Sequence, residues 1–554
     1  MTLSSFKRPA LALSALLFAA PLITACGGDR SARIDSDENI VFGELGALST
    51  KGGRGSFRFG AATAATQIED QNEHTDWHFW SLPVEEGGMG QGKAHVGDAV
   101  RSATLSARDI EIMKEMGLDA YRFSVEWSKI EPERDQINEA ELERYSDFID
   151  ALLEAGIRPM ITLHHFSNPI WVGALGGDAP CAEEGPNDEN LCGWDHPEGS
   201  ALILEEFREH VALLAERFGD RVDDWCTINE PVNYIIASYG AGVFPPGRAY
   251  IPAGLGGVGS EAFQKLIGVF RNFLKAHVIA YDAIKEHDQI DADGDGVSSE
   301  VGFSLNLIEW DPVRNGLKSS DPEDLAAAER AERIYNHLFP SSILDGSFDA
   351  DFDGEPDEDY PEWKGKLDWL GVQYYMRNGV TAESALLIPG LDAMICFQGF
   401  EIFGACLDVQ EPTKWIPTMS YEFYEVGMFN IIRDFSERYP DLPMVVTEAG
   451  IATTNGVRRA ENIVRILEQV ALAVEEGSDV RGYYHWSLTD NFEWAEGYDP
   501  QFGLYSVDRS SPDYERTPTE GAIVYGEIIK ERTITREQRE TYGGTGPMTP
   551  ESVE

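Results

Sequence analysis

Eight short apolar, strand-like runs recur along the chain, each followed by a segment with helical spacing. This repetition restricts the fold more than any other feature. The runs are 58–69, 119–127, 158–166, 223–231, 300–310, 367–375, 444–450 and 480–490. Between them apolar residues fall at helical intervals, as in Phe207, Val211, Leu214 and Phe218, and again in Ile463, Leu467, Val470 and Val474. That spacing gathers them on one helical face. Eight strand-then-helix units predict an α/β chain folded as a single (β/α)8 TIM barrel over residues 57–531, with loop insertions at about 176–198 and 383–413.

In such a barrel the functional groups collect where the strands end. These runs end in Gln67 and Glu69, Glu126 and Trp127, His164 and His165, Asn229 and Glu230, Asn306, Tyr374 and Tyr375, Glu448, and Trp486. Polar and aromatic groups above apolar strand middles suit a sugar-sized pocket with stacking surfaces. A glutamate closing a buried run is costly unless it is paired or used. "DDWCTINEP" closes on Glu230 and its proline, and "MVVTEAG" carries Glu448. Two glutamates at one mouth suit glycoside hydrolysis, one as acid and the other as base or nucleophile.

"TINEP" and "VTEAG" resemble the acid/base and nucleophile signatures of glycoside hydrolase family 1, the retaining β-glycosidases. "FRFGAATAATQIE", "YRFSVEWSKIEP", "LHHFSNPIWV", "NYIIASYGAGVFPPG" and "HWSLTDNFEWAEGYDPQFGLYSVD" resemble the same family in the same order, over roughly 57–531. The resemblance implies that Glu448 is an ionised nucleophile and that Glu230 starts protonated, with the carboxyl groups about 5–5.5 Å apart. It implies Arg122 and Tyr375 beside Glu448, lowering its pKa. It implies that Gln67, His165, Asn229, Glu493 and Trp494 hold the hydroxyls of the innermost sugar. Trp486 would lie beneath the ring, with Asn306 and Phe166 shaping the pocket; Asp490, Asn491 and Asp499 read as structural. The chain departs from the family pattern at Ala449 and Gln373, where asparagine is usual, and at Gln501, where arginine is common.

What the resemblance implies for function is an exo-acting retaining β-glycosidase, a β-glucosidase foremost, acting on neutral β-glycosides or short oligosaccharides without a catalytic cofactor. A carboxylate at Glu493 would repel a 6-phosphate. Glucose, galactose and fucose would all be served by these residues. The alternatives are a transglycosidase and a sugar-binding lipoprotein without turnover; the second predicts loss of one glutamate, and both are present.

The first 25 residues carry Lys7 and Arg8, an apolar segment from Ala10 to Ala25, and then Cys26. This reads as a secretory signal, and "LITAC" resembles a bacterial lipobox that would place a lipid on Cys26. The expectation is an exported protein anchored to a cell-envelope membrane through that lipid, with a polar linker over 26–56 and a polar tail over 532–554. Cys181 with Cys192 and Cys396 with Cys406 are spaced as disulfides inside the two insertions. Cys226 lies within an apolar run and reads as an inert core thiol.

A formal charge of -52 sets the whole surface against nucleic acid and anionic lipid. A solvated acidic surface and adaptation to saline water both produce such a balance. Within it, Asp291, Asp293 and Asp295, and again Asp349, Asp351 and Asp353, alternate and precede a glycine, like the first half of a calcium loop. The closing glutamate is missing from both. Structural calcium is therefore the one metal expectation, at the barrel end away from catalysis because both loops precede strands. Nothing in the sequence sets an oligomeric state.

Overall fold

The computed structural model describes residues 38–43, 57–173, 175, 179–253, 257–388, 390–397 and 401–551. All eight runs form strands: Arg58–Ala62, Ala120–Ser124, Arg158–His164, Asp224–Asn229, Glu300–Asn306, Trp369–Gln373, Met444–Ala449 and Val480–Trp486. They pair in parallel in chain order, and the eighth closes on the first. After the respective strands come Ser102–Met116, Glu139–Glu154, Pro197–Phe218, Glu261–His287, Pro322–Glu332, Val426–Arg438, Gly456–Glu475 and Glu520–Glu531. The (β/α)8 barrel is thus the fold.

Local chemistry sets the helix starts. Asn138, Ser260, Asp321, Asn455 and Thr519 each accept a backbone N–H of the first turn, satisfying a donor that the helix itself leaves open. Phe207, Val211, Leu214 and Phe218 are buried along one face of their helix, as their spacing requires.

The strands are shorter than the apolar runs, because the chain turns helical at Ala65–Ile68 and Trp127–Ile130 directly after two of them. Gln67 therefore sits on a helical turn. Strand registers slip between Cys226 and Asn229, between Val372 and Gln373, and between Val446 and Ala449. These three lie toward the C-terminal ends of their strands, where a bulge re-aims side chains, while a fourth, between Met444 and Val446, opens the seventh strand. Glu230 and Glu448 are found beside two of them.

At the opposite end, Arg58 pairs with Asp224, and Asp293 of the first acidic loop sits 2.5 Å from Arg158 and 3.5 Å from Arg58. This loop lies at the strand starts, as expected. The second does not. Its flanks, Ser347–Phe348 and Glu358–Asp359, pair as a hairpin, and Phe352 packs on Phe263 and Phe270 near the beginning of helix Glu261–His287. That helix begins on the catalytic side, so the hairpin carries the second acidic loop back toward it.

The boundaries at 57 and 531 also need correction. Ile40–Val41, placed in the linker, pairs with Thr533–Ile534 of the supposed tail. Ile40, Phe42, Ile534 and Met548 are buried, and a capping box at Thr535 and Gln538 starts helix Arg536–Tyr542. Glu551 then accepts bonds from Thr453 and Thr454 in the loop after the seventh strand. A few apolar anchors inside polar stretches thus dock residues 38–43 and 532–551 on the barrel. The signal, Cys26 and the linker to residue 37 lie outside the described residues, as do residues 44–56.

Both disulfides are present, Cys181–Cys192 and Cys396–Cys406, and Cys226 is a buried free thiol. Among the described residues no helix is long and apolar enough to cross a membrane.

Candidate active site

A cavity of about 540 Å3 opens at the C-terminal ends of the strands. His165, Phe166, Asn229, Glu230, Asn306, Tyr375, Glu448, Trp486, Glu493 and Trp494 all line it, so ten sequence-predicted residues converge on one space. Gln67 and Arg122 stand behind that wall. Arg122 is fully buried and donates to Glu448 Oε1 at 2.5 Å and to Asn229 Oδ1 at 2.5 Å. Gln67 donates to Glu493 Oε2 at 3.3 Å and to the Phe492 carbonyl at 2.8 Å. Its contact is therefore with Glu493 rather than with the open cavity.

The two glutamates differ in surroundings. Glu448 accepts from Arg122 on one oxygen and from the Tyr375 hydroxyl, 2.7 Å away, on the other. Glu230 accepts from the Asn233 amide at 2.7 Å. Burial, and then the charge of Glu448, push Glu230 well above the usual carboxylate range. Burial also raises Glu448, against the expectation of a lowered value, because Arg122 and Tyr375 offset only part of the desolvation. The contacts set the order: Glu448 is met by a guanidinium and a hydroxyl and Glu230 by one neutral amide, so Glu448 is the better stabilised anion. Burial and the neighbouring carboxylates keep Tyr375 protonated far above pH 7, so it remains a donor.

Backbone strain gathers here. Glu230, Phe166 and Trp494 have φ of 41°, 64° and 49°, the left-handed region that non-glycine residues rarely adopt. At Glu230 the conformation is held by its own N–H to the Ser304 carbonyl and by Tyr234 N–H to its carbonyl.

Groups at and behind the cavity wall carry open hydrogen-bonding capacity. Gln67 Oε1, His165 Nδ1 and Asn306 Oδ1 are buried without a protein partner among the described residues. Such atoms cost about 1–3 kcal/mol each unless a ligand or water meets them. Burial holds His165 neutral, giving a ring that can both donate and accept. Asn229 Oδ1 receives Arg122 and also Gln373 Nε2 at 2.7 Å, leaving its amide nitrogen for a ligand. Gln373, a departure from the family pattern, thus supports Asn229. Asn491 accepts from Gln67 and Asp490 from Gly503 N–H, both structural as expected. His165 lies 5.8 Å from Trp486 and 6.0 Å from Trp494, ring to ring, forming an aromatic corner.

Sequence reading missed Asn233, Tyr335, Trp310 and Arg377, which also line the cavity. Asn233 had a signal, since it follows Glu230 by one helical turn. Trp310 ends the fifth apolar run, 300–310, and so had a local signal; Tyr335 comes from a segment beyond it, where nothing local marks it. Of the acidic loops, Asp349, Asp351 and Asp353 hold carboxylate oxygens within 4.8 Å of one another. In the first loop, Asp291 and Asp293 group with Asp223 instead of Asp295.

A closed parallel barrel whose mouth couples two buried glutamates, one gripped by arginine and tyrosine, defines a two-carboxylate glycoside hydrolase. The profile described as Glycosyl hydrolase family 1 matches residues 51–534, and the chain belongs to that family. It is 31% identical to a beta-galactosidase of Pyrococcus woesei, over 87% of this chain and 98% of the relative. It is 30% identical to a coniferin beta-glucosidase of Pinus contorta, over 86% of this chain and 91% of the relative. Among solved structures it resembles a beta-glycosidase from Pyrococcus horikoshii with a TM-score of 0.71 at 29% identity, over 91% of this chain and 98% of that one. A family 1 b-glucosidase from Thermotoga maritima gives 0.69 at 26% identity, over 86% and 98%. Coverage is near complete on both sides, so the likeness extends to the whole barrel. Family 1 catalysis needs no cofactor; acid, base and nucleophile are all side chains.

Proposed function

We propose that the protein is an exo-acting retaining β-glucosidase for neutral β-glycosides, exported and held to a bacterial cell-envelope membrane by a lipid on Cys26. The observation that carries the catalytic reading is the unequal pair: Glu448 is met by the Arg122 guanidinium and the Tyr375 hydroxyl, whereas Glu230, met by one neutral amide, is raised by burial and by the charge of Glu448. Glu230 then holds its proton and gives it to the departing oxygen as Glu448 attacks the anomeric carbon. Once the sugar caps Glu448 its charge is gone, Glu230 becomes more acidic, and it takes a proton from the incoming water. The product keeps its anomeric configuration.

Neutral substrates are supported by the lining. Among its described residues the one Arg or Lys side chain is Arg377, which pairs with Glu422 at 2.8 Å. Glu493 itself is pushed up to about 8, by burial and then by Glu448. The bar to a phosphate is therefore the missing cation more than a full negative charge. With both carboxylates coupled on one cavity, neither transglycosylation nor binding without turnover gains separate support. Export is supported by the N-terminal signal pattern and by two disulfides. Calcium in the loop of Asp349, Asp351 and Asp353 is part of the same proposal, as a brace outside the chemistry.

An activated 2-fluoro-glucoside tests the catalytic core: stoichiometric labelling of Glu448 is expected. Unlabelled protein, or hydrolysis with inverted configuration, would overturn it. A panel of chromogenic glucosides, galactosides and fucosides ranks the sugars, and the Cys26→Ser variant should leave the membrane fraction.

A further inference from the structure

On the flank of the barrel, where the π turn Arg333–His337 follows helix Pro322–Glu332, a cleft of about 290 Å3 opens against helix Val426–Arg438. Glu309, Glu332, Asn336, Asn430 and Asp434 supply its polar wall. Glu332 and His337 stand five residues apart. In a regular α-helix that spacing turns two side chains about 140° from each other. A π turn spends an extra residue on the turn, and such turns occur frequently at functional sites. Here it serves to gather: Glu332, His337 and Asp434 each offer a ligand atom, and these atoms all lie within 4.8 Å of one another.

The protein's own contacts leave these groups short of partners. The His337 side chain is 6% exposed, and neither ring nitrogen makes a hydrogen bond among the described residues. Its Nε2 stands 2.9 Å from Asp434 Oδ2, close but out of hydrogen-bond alignment. Two ligands each about 2.1 Å from one ion and at right angles are themselves about 3 Å apart. The imidazole and the carboxylate are spaced as neighbouring ligands. Glu332 makes no hydrogen bond or ion pair among the described residues, and burial, then Asp434, push its pKa up. Glu309, met by the Asn430 amide at 2.9 Å, is pushed up to about 7 by burial. Arg438, half-exposed, places Nε 2.9 Å from both Asp434 oxygens. A carboxylate has about four acceptor directions, so Asp434 can keep that partner and still bind an ion.

We propose that Glu332, His337 and Asp434 form a binding site for a first-row divalent metal ion of the zinc class. An imidazole among carboxylates favours such an ion over calcium, whose ligands are oxygens. The ion ties the π turn to helix Val426–Arg438. It lies outside the chemistry and does not depend on the glycosidase reading, although Trp310 lines both this cleft and the active-site cavity.

Equilibrium dialysis of the chelator-stripped protein against zinc chloride, with excess magnesium to fill sites made of carboxylates alone, tests the proposal. One zinc per chain is expected. Glu332→Gln, which keeps the shape of a part-buried side chain, should weaken binding by at least the roughly 10- to 100-fold that losing an outer partner of a metal ligand costs. His337→Gln should do the same, whereas Asp351→Asn should leave zinc bound. Zinc should also raise Tm in the unmodified protein and not in Glu332→Gln, a readout that stands if His337→Gln does not fold. Protein that holds no zinc, or Glu332→Gln that holds it as tightly as the unmodified chain, would overturn the site.

Discussion

The Asn233 amide donates to Glu230 Oε2 from 2.7 Å, one helical turn beyond the glutamate. A donor to the carboxylate favours its ionised form, so this contact lowers the Glu230 pKa against the larger upward pull of burial and Glu448. It also directs the acid proton to Oε1, the oxygen that the amide leaves free. Asn233→Ala removes the donor and the Glu230 pKa rises. The basic limb of kcat/KM, where the acid is lost, should then move to higher pH, while deglycosylation at neutral pH slows because less base is present. A pH profile with a poor leaving group checks this; an unmoved limb, or one displaced toward acid, would refute it.

Tyr375 plays the corresponding part for Glu448. Its hydroxyl donates to Oε2 and, after Arg122, is the next contact stabilising the charged nucleophile. Tyr375→Phe leaves burial in place and removes one charge-assisted bond, worth about 1.5–3 kcal/mol. The Glu448 pKa rises, so the acidic limb of kcat/KM moves upward in pH. At the plateau kcat/KM falls by about 10- to 100-fold. A variant with the wild-type acidic limb would show that Tyr375 packs without tuning the charge.

The barrel and its catalytic pair were legible because both rest on local patterns. Short apolar runs and helical stripes mark the eight units, and strand ends mark the mouth, so Glu230 and Glu448 could be paired before any geometry was known. What escaped detection is non-local. Tyr335 reaches the cavity from a helical segment well after the fifth strand. The second acidic loop precedes a strand, yet its hairpin folds back against Phe263 and Phe270. The C-terminal segment looks like a tail by composition, and only the burial of Ile534 and Met548 reveals docking. Glu448 shows a different limit: its charged partners are readable from sequence, but the burial that outweighs them is a property of the folded chain.

Docking of that segment makes a prediction about stability. Met548 is 3% exposed, and its neighbour Thr549 donates from its backbone to Glu461 at 2.8 Å. Met548→Ala should cost about 2–5 kcal/mol, the range for emptying a buried site of this size. Chemical denaturation with an unchanged m-value measures it. A loss below about 0.5 kcal/mol, the range for exposed positions, would mean that the segment does not hold its place in solution.

Calcium gives the last prediction. In the second loop, backbone N–H groups of Asp353 and Gly354 take the two Asp349 oxygens, and Arg333 binds the carbonyls of Phe352 and Asp353. No Arg or Lys ion pair with Asp349, Asp351 or Asp353 is found among the described residues, whereas Asp293 in the first loop is already met by Arg158 and Arg58. The second loop is therefore where a divalent cation has most to offset. Calcium at 100 times its dissociation constant would add about 2.7 kcal/mol to stability. Chelation should lower Tm, added calcium should restore it, and Asp351→Asn should blunt the response; Asp291→Asn should leave it intact. A Tm indifferent to chelator and calcium would mean that the loop is braced by its own backbone bonds alone.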